Sequence, residues 1–198
     1  MHNIWKGKKV WLRGFRAEDA EVLIDLPLDT EADALGDMSH LPHSRTIERE
    51  RDFVGWAMSL SSSEATDDCK LAVLTVEGDQ WVGTVGLHNS NRRMRWADLD
   101  VFIAPASAYS KGLGGEAILI LLNYAFNELN YQKIELGVYD LNTRAVALYQ
   151  RLGFVEEGRL RRRFFYKGSY HAEIKMGLLR EEFVAQHHEF VDFLYSEH

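Results

Sequence analysis

The sequence predicts an α/β (α+β) protein in which a mixed, largely antiparallel sheet of about seven strands carries helices on both faces. Two tight turns support this fold, because Gly78-Asp79 and Lys167-Gly168 each separate two strand-like runs, as hairpin turns do. A third observation is a glycine-rich turn at residues 112–115, which leads from a strand-like run into a long apolar helix. The resulting element order, βααβββαβαββα, favours a mixed sheet.

The first predicted strand, residues 8–13, is followed by a helix at residues 17–26. A second helix covers residues 46–60, and Thr46 is positioned as its N-cap before the acidic Glu48. The remaining predicted strands are residues 70–76, 80–88, 95–103, 133–139, 154–165 and 170–179.

Three further helices are predicted in the second half of the chain. A long central helix covers residues 112–129, and a short helix covers residues 142–152, with Asn142 as its N-cap and Gly153 at its end. A tail helix covers residues 180–195, and its apolar stripe must pack against its own sheet or against a second subunit. The stripe consists of Phe183, His187, Phe190, Val191 and Leu194.

The bulk composition predicts a single domain over residues 1–198, with residues 180–198 as a C-terminal helical extension. The chain has 198 residues, 46% of them hydrophobic, which is enough for a substantial core. No signal-like segment and no uncharged stretch of transmembrane length are seen, so a cytoplasmic protein without a membrane partner is expected. The net charge of −7 argues against nucleic-acid binding. One cysteine, Cys69, excludes an intramolecular disulfide, and the His spacing predicts no metal site.

The glycine-rich turn predicts a phosphate site. Glycines let backbone N–H groups approach an anion, and the helix N-terminus adds unpaired donors and a partial positive charge. Lys111 would add a cation, whereas Glu116 would repel phosphate and is expected to face away. The candidate binding residues in this turn are Ser110, Lys111, Gly112, Leu113, Gly114 and Gly115.

Several interpretations of this turn compete. A Walker A loop is excluded because no Gly-Lys-Ser/Thr ends the turn. Residues 112–117 fit a dinucleotide fingerprint, but that turn should follow its strand at once, and residues 104–111 intervene. In a third interpretation, the turn binds the pyrophosphate of an acyl-coenzyme A. In the remaining one, it binds no ligand and only redirects the chain.

A second motif follows at residues 142–154, Asn-Thr-Arg-Ala-Val-Ala-Leu-Tyr-Gln-Arg-Leu-Gly-Phe, in which Ala145, Leu148 and Tyr149 share one helix face. This segment resembles the N-x-x-A-x-x-x-Y-x-x-x-G-F motif of the GNAT superfamily of N-acetyltransferases. The glycine turn resembles the coenzyme A motif of the same superfamily. Further similarity to the ribosomal-protein-alanine acetyltransferase branch extends the resemblance over roughly residues 8–180. It is carried by Val10-Trp11-Leu12-Arg13, Asp19-Ala20, residues 157–161 and residues 167–170.

The resemblance implies a GNAT-like fold, acetyl-CoA as cosubstrate and direct attack by a primary amine, either a small amine or a protein N-terminus. A homodimer is expected as well. In this family two parallel strands splay apart, so the backbone of Val101, Phe102 and Ile103 would bind the pantetheine arm. Asn142 would hydrogen-bond the arm or hold the local turn, and Tyr149 would contact the cofactor and protonate its sulfur.

Asp98 and Asp100 share one face of a strand, and either is a candidate for the general base. The other interpretation is that both are surface carboxylates. The family turn usually begins with Gln or Arg and then Gly, where this chain has Tyr109 and Ser110. Because of that departure, the resemblance does not extend to one of the contacts near the turn.

The sequence is also compatible with other functions. A non-catalytic acyl-CoA-binding or regulatory domain is the main alternative, and a nicotinamide-dependent oxidoreductase is a more distant one. The amine acceptor is expected to be selected by residues 26–43. A basic cluster would bind the adenosine 3′-phosphate or an acidic substrate, or it would be a solvated strand edge, the favoured interpretation. It consists of Arg159, Arg161, Arg162 and Arg163.

Overall fold

The computed structural model describes residues 3–27, 46–61, 63 and 65–196. Within these residues a seven-stranded sheet has the order β1-β2-β3-β4-β5-β7-β6. All neighbouring strands are antiparallel except β4 and β5, which are parallel, so the predicted mixed sheet is confirmed. The strands are β1 (Val10–Gly14), β2 (Cys69–Thr75), β3 (Trp81–Asn91), β4 (Trp96–Ile103), β5 (Lys133–Tyr139), β6 (Val155–Tyr166) and β7 (Ser169–Leu179).

Helices cover both faces of the sheet, as the sequence predicted. Alternate residues of β2 point to opposite faces, which is the period-two pattern of a strand buried on both sides. Leu71 and Val73 belong to one buried cluster, whereas Ala72 and Leu74 belong to a second. The helices are α1 (Asp19–Ile24), α2 (Ile47–Ser61), α3 (Leu113–Asn123), α4 (Thr143–Arg151) and α5 (Arg180–Tyr195). No helix in the described ranges is long and apolar enough to cross a membrane.

The N-terminal similarity to the acetyltransferase branch has a structural explanation. Arg13 on β1 donates two hydrogen bonds of 2.7 Å to the carboxylate of Asp19, at the start of α1. The same carboxylate accepts a hydrogen bond from the Arg16 backbone N–H. Burial opposes ionisation of Asp19, but these partners lower the pKa of its carboxyl below the usual value. The pair therefore fixes the direction in which the chain leaves β1 and enters α1.

The predicted central helix differs from the observed one at its C-terminal end. After α3 ends at Asn123, residues Tyr124–Glu128 form a turn of π-helix, in which the Leu129 N–H bonds the Tyr124 carbonyl five residues back. The Tyr124 ring packs on Trp5 with ring centroids 4.6 Å apart. Side-chain periodicity over one turn does not separate α from π winding, so the sequence predicted a single continuous helix.

The tail helix α5 has the predicted bounds, Arg180–Tyr195, with a kink at His187. Its stripe packs on its own domain, because Phe183 and Leu194 are buried in the same cluster as the central helix. The Phe183 ring lies 5.2 Å from the ring of Phe126. The first of the two packing alternatives given by the sequence is therefore the observed one.

Candidate active site

The parallel pair β4 and β5 separates part-way along its length. Three residue pairs join these strands, and the last pair is Asp98 with Glu135. Both strands continue past that point, β4 to Ile103 and β5 to Tyr139, while each stays paired with its outer neighbour. The result is an opening in the middle of the sheet. The facing backbone edges of residues 99–103 and 136–139 are thereby released from the ladder between these two strands.

A cleft of about 900 Å³ occupies this opening. It is lined by the released edge residues of both strands, by the glycine turn and by the inner face of α4. The predicted site residues therefore converge, although up to 51 positions separate them along the chain (98 to 149). Those that line the cleft are Asp98, Asp100, Val101, Phe102, Ile103, Ser110, Lys111, Gly112, Leu113, Gly114, Gly115, Asn142 and Tyr149.

The glycine turn has the backbone geometry of an anion-binding loop. Gly112 precedes α3 with a left-handed φ of 80°, and none of the described side chains caps this helix N-terminus. Ser110 also has a left-handed backbone, with φ of 60°, at the position where the family usually has glycine. A Cβ on Gly114 would lie 3.0 Å from Cγ1 of Ile103, so the turn packs tightly against the end of β4.

Two lysines flank the turn, and only one of them was predicted. Lys111 is part of the turn and exposed. Lys9, next to the first residue of β1, lines the cleft and donates a 2.9 Å hydrogen bond from its Nζ to the Lys111 carbonyl. No local motif marks Lys9, because 102 residues separate it from Lys111. Only the tertiary fold brings its charge to the turn.

Glu116 faces away from the cleft, as expected. Its carboxylate accepts hydrogen bonds from the backbone N–H groups of Lys8 (2.7 Å), Lys9 (2.8 Å) and Val10 (3.2 Å). Gly7 leaves room for it, since a Cβ at Gly7 would lie 2.7 Å from Oε1 of Glu116. The Glu116 side chain therefore anchors the start of β1 to α3.

The helix after β5 presents the second motif to the cleft. Asn142 caps α4, with its side-chain oxygen accepting a 3.2 Å hydrogen bond from the Ala145 N–H. Tyr149 is 8% exposed, and its ring packs edge-on against Phe154. Burial raises the pKa of the Tyr149 hydroxyl, and the negative charge of Asp100 raises it further. Tyr149 is therefore a neutral phenol that can donate a proton into the cleft.

The two strand carboxylates face a lysine and a histidine. Lys70 forms an ion pair with Asp100, and His88 Nδ1 lies 3.5 Å from the other oxygen of Asp100. His88 Nε2 lies 3.9 Å from Asp98, whose carboxylate also accepts a 2.8 Å hydrogen bond from Asn89. Burial opposes ionisation of Asp100, but Lys70 and His88 lower the pKa of this carboxyl to about 2.

Comparison with known proteins identifies the family. Residues 9–155 match the family model described as an acetyltransferase (GNAT) domain. The chain belongs to the GNAT acetyltransferase family. It is 32% identical over 185 residues to the SPbeta prophage-derived N-acetyltransferase YokL of Bacillus subtilis. The alignment covers 92% of this chain and 97% of YokL. It is an acetyl-CoA-dependent N-acetyltransferase, so the predicted family and activity are confirmed.

A shorter match relates this acetyltransferase to the spermidine N(1)-acetyltransferase of Escherichia coli K12. The two are 33% identical over 115 residues, which is 58% of this chain and 61% of that enzyme. The crystal structure of the Vibrio cholerae spermidine N-acetyltransferase in complex with CoA and spermine superposes with a TM-score of 0.73. Its identity to this chain is 26%, over 88% of this chain and 98% of the other.

The GNAT fold is confirmed by a further structure. The acetyltransferase of the GNAT family from Bacillus anthracis superposes with a TM-score of 0.73 at 19% identity, over 89% of this chain and 98% of that chain. The predicted fold of this acetyltransferase, helices on both faces of a seven-stranded sheet, is thus the fold of its structural relatives.

The basic cluster of this acetyltransferase lies at the edge of the sheet, because β6 pairs only with β7. Arg159 forms an ion pair with Glu156, and Arg163 forms one with Glu173. The register shifts between Leu160 and Phe164, so the residues between them bulge out of the ladder. None of the four arginines lines the cleft. The solvated-edge interpretation therefore fits this cluster.

Acceptor selection was assigned to residues 26–43, and residues 28–45 lie outside the described residues. Besides Lys9, two of the cleft residues that the sequence did not indicate bear on the site's chemistry. They are His88, which follows β3's buried run, and Arg144, whose guanidinium lies 3.8 Å over the Tyr109 ring.

Proposed function

We propose that this enzyme moves the acetyl group of acetyl-CoA onto a positively charged primary amine, either a small amine of the polyamine type or a protein N-terminus. The observation that carries the proposal is the opened β4–β5 edge. It runs from the glycine turn at one end to Asp98 and Asp100 at the other. An anionic cofactor and a cationic acceptor would thus meet charges of opposite sign at the two ends of one cleft.

The cofactor half is assigned from backbone geometry. The released edge of Val101, Phe102 and Ile103 would pair with the amide groups of the pantetheine arm, much as an added strand would. The amides of the turn would hold the pyrophosphate, with Lys9 and Lys111 as nearby cations. Asn142 already caps α4, so we assign it to holding the turn that leads into this helix.

The acceptor half rests on charge and on relatives. An ammonium group that enters near this strand face would be attracted by the carboxylate of Asp98, since Lys70 already opposes the charge of Asp100. Spermidine and spermine, named for the related enzymes, are cations of this kind. The resemblance to the ribosomal-protein-alanine acetyltransferase branch supports a protein N-terminus instead. Both acceptors therefore belong in the first assay.

The reaction needs no covalent enzyme intermediate. After the ammonium has lost a proton, the neutral amine attacks the thioester carbonyl, the C–N bond forms and the C–S bond breaks. The thiolate that leaves takes a proton, and we assign its donor as the Tyr149 hydroxyl. Cys69 plays no part, because burial raises the pKa of its thiol to about 11.

The two carboxylates differ in how well each could act as the general base. Asp100 forms an ion pair with Lys70 and has a pKa of about 2, so it is a weak proton acceptor near neutral pH. The ion pair therefore argues against Asp100 as the base, and Asp98 remains from the original prediction. His88 lies beside both carboxylates.

The assay that tests the proposal is release of free CoA from acetyl-CoA in the presence of an amine panel. The panel contains spermidine, spermine and short peptides with a free N-terminal Ala or Ser, each with an N-acetylated or fully blocked control. Turnover with an unblocked amine supports the proposal. Tight acetyl-CoA binding without CoA release for any amine would leave the non-catalytic alternative instead.

Acetyl-CoA is expected to stabilise the folded protein, because the ligand would bind the cleft of the native state only. At one hundred times its Kd, a ligand of this kind adds about 2.7 kcal/mol to the free energy of unfolding. The measurement is thermal unfolding with acetyl-CoA and, as controls, with NAD and with pantetheine. An unchanged Tm with saturating acetyl-CoA would refute cofactor binding, and a rise with NAD alone would favour an oxidoreductase.

We further propose that residues 1–198 act as one cytoplasmic domain that forms a homodimer, the commonest oligomer. Light scattering should give twice the chain mass at micromolar concentration. Truncation after Arg180 removes Phe183 and Leu194 from the core and should lower the Tm, whereas truncation after Tyr195 should not. A monomeric intact chain would contradict the dimer, and a dimer that persists without α5 would place the interface elsewhere.

A further inference from the structure

Three residues stand in one row across β2, β3 and β4. Lys70 pairs with Gly86, and Gly86 pairs with Asp100. In register, these residues share one face of the sheet, and the middle one has no side chain. A Cβ on Gly86 would lie 3.0 Å from Cδ of Lys70 and 3.5 Å from Oδ2 of Asp100. Gly86 therefore lets the buried Lys70 reach across a whole strand to the carboxylate of Asp100.

His88 lies two residues beyond Gly86 on the same face and lines the cleft. Its ring stands between the two carboxylates of β4, with Nδ1 3.5 Å from Asp100 and Nε2 3.9 Å from Asp98. From the β2 side, the charges of Lys70 and Asp68 act on it. Its side chain is 42% exposed, so the imidazole is open to a substrate or to a water in the cleft.

We propose that His88 is the general base of this enzyme and that Lys70, through its ion pair with Asp100, limits the hold of that carboxylate on the protonated imidazole. The inference rests on the proposed acetyl transfer to an amine and assigns the proton acceptor left open there. An imidazole can take a proton near neutral pH, which a carboxylate held in an ion pair cannot do efficiently.

The protons balance with this assignment. The substrate ammonium gives one proton to neutral His88, directly or through one water, and His88 returns it to solvent. The amine nitrogen loses a second proton as the C–N bond forms and the C–S bond breaks. One proton from Tyr149 is taken up by the leaving sulfur, and the phenol is restored by the proton released from nitrogen. One ammonium and one thioester thus give one amide, one thiol and one proton in solution.

The charges around His88 set the pH at which it can act. Asp100 raises the pKa of His88 above its ordinary value, and Asp98 acts in the same direction. Burial opposes this shift, and so does the positive charge of Lys70. Because only the neutral ring accepts a proton, kcat/KM should fall as the pH drops through the pKa of His88.

The first test compares two histidine variants. His88→Gln should lower kcat by about 10²-fold at neutral pH and remove the acidic limb of the pH profile. His188→Gln is the matched control, because His188 is exposed on α5 away from the cleft, and its profile should equal that of the wild type. A His88→Gln enzyme with the wild-type limb would overturn the assignment of the base.

The second test uses opposite charge changes. Lys70→Met removes a cation, so the imidazolium is favoured and the acidic limb should move to higher pH. Asp100→Asn removes the main anion, so the limb should move to lower pH. A merely structural role for both residues predicts no opposed shifts. Limbs that stay fixed, or move in the same direction, would overturn this role of Lys70.

The pKa of His88 can also be measured by NMR titration of its imidazole in the wild type, in Lys70→Met and in Asp100→Asn. We expect it to be highest in Lys70→Met and lowest in Asp100→Asn. The resonance is assigned by its absence from the spectrum of His88→Gln. This measurement keeps the inference separate from the proposed function. If no amine is acetylated by the wild type, the proposed function fails by itself. If turnover is present but the imidazole resonance does not shift in opposite directions in the two variants, the inference fails and the acetyltransferase assignment stands.

Discussion

Tyr149→Phe is expected to lower kcat by about 10²-fold or more while the Kd of acetyl-CoA stays near the wild-type value. The substitution keeps the ring that packs on Phe154 and removes only the hydroxyl of this cleft-lining residue. If this phenol protonates the leaving sulfur, the loss appears in the chemical step. Steady-state kinetics with the best amine, together with calorimetric titration of acetyl-CoA, would separate the two quantities.

Tyr131→Phe provides the matched control for this prediction. Its hydroxyl is also inside the fold, but it donates a 2.7 Å hydrogen bond to Asp67, away from the cleft. Removing it should cost about 0.5–1.5 kcal/mol of stability and leave kcat unchanged. If Tyr149→Phe loses stability but keeps its turnover, Tyr149 is a core residue and another group protonates the sulfur.

Gly114→Val is expected to abolish detectable acetyl-CoA binding while the protein stays folded. A Cβ at this position already lies 3.0 Å from Cγ1 of Ile103, and the branched side chain has no room on the β4 side. It must therefore turn toward the space where the turn amides would meet the pyrophosphate. The stabilisation of about 2.7 kcal/mol expected from saturating acetyl-CoA should then vanish.

A second glycine-to-valine change controls for the substitution itself. A Cβ on Gly158, in the edge strand β6, would meet no heavy atom within 4 Å. Gly158→Val should therefore bind acetyl-CoA like the wild type, with far-UV circular dichroism confirming that both variants are folded. Unchanged affinity in Gly114→Val would show that the turn has only a structural role.

The parts of the fold that depend on local sequence were predictable. The predicted bounds of β5 and α5, residues 133–139 and 180–195, are those observed, because both elements have clear periodicity and flanking signals. The two hairpin turns are also where the glycines indicated. Gly78 and Gly168, with the residues Asp79 and Lys167 beside them, have the positive φ that such turns require.

The charged network of the site was not predictable, because it depends on register between strands. The sequence placed Asp98 and Asp100 on one strand face, and both do line the cleft. Nothing local indicated that Lys70 crosses Gly86 to one of them, since the pairing of β2, β3 and β4 decides it. A carboxylate that looked free to act as a base is therefore held in an ion pair, and His88 was overlooked beside it.

The short ladder between β4 and β5 also divides the sheet mechanically. Only three residue pairs join the half formed by β1 to β4 to the half formed by β5, β7 and β6. Every other pair of neighbouring strands is joined by five or more residue pairs, so we expect the sheet to open most readily between β4 and β5. A ligand that fills the opening would contact both halves, because residues of both β4 and β5 line the cleft. Cofactor binding there would stiffen the sheet, and the second substrate would then meet a protein that has already lost part of its conformational entropy.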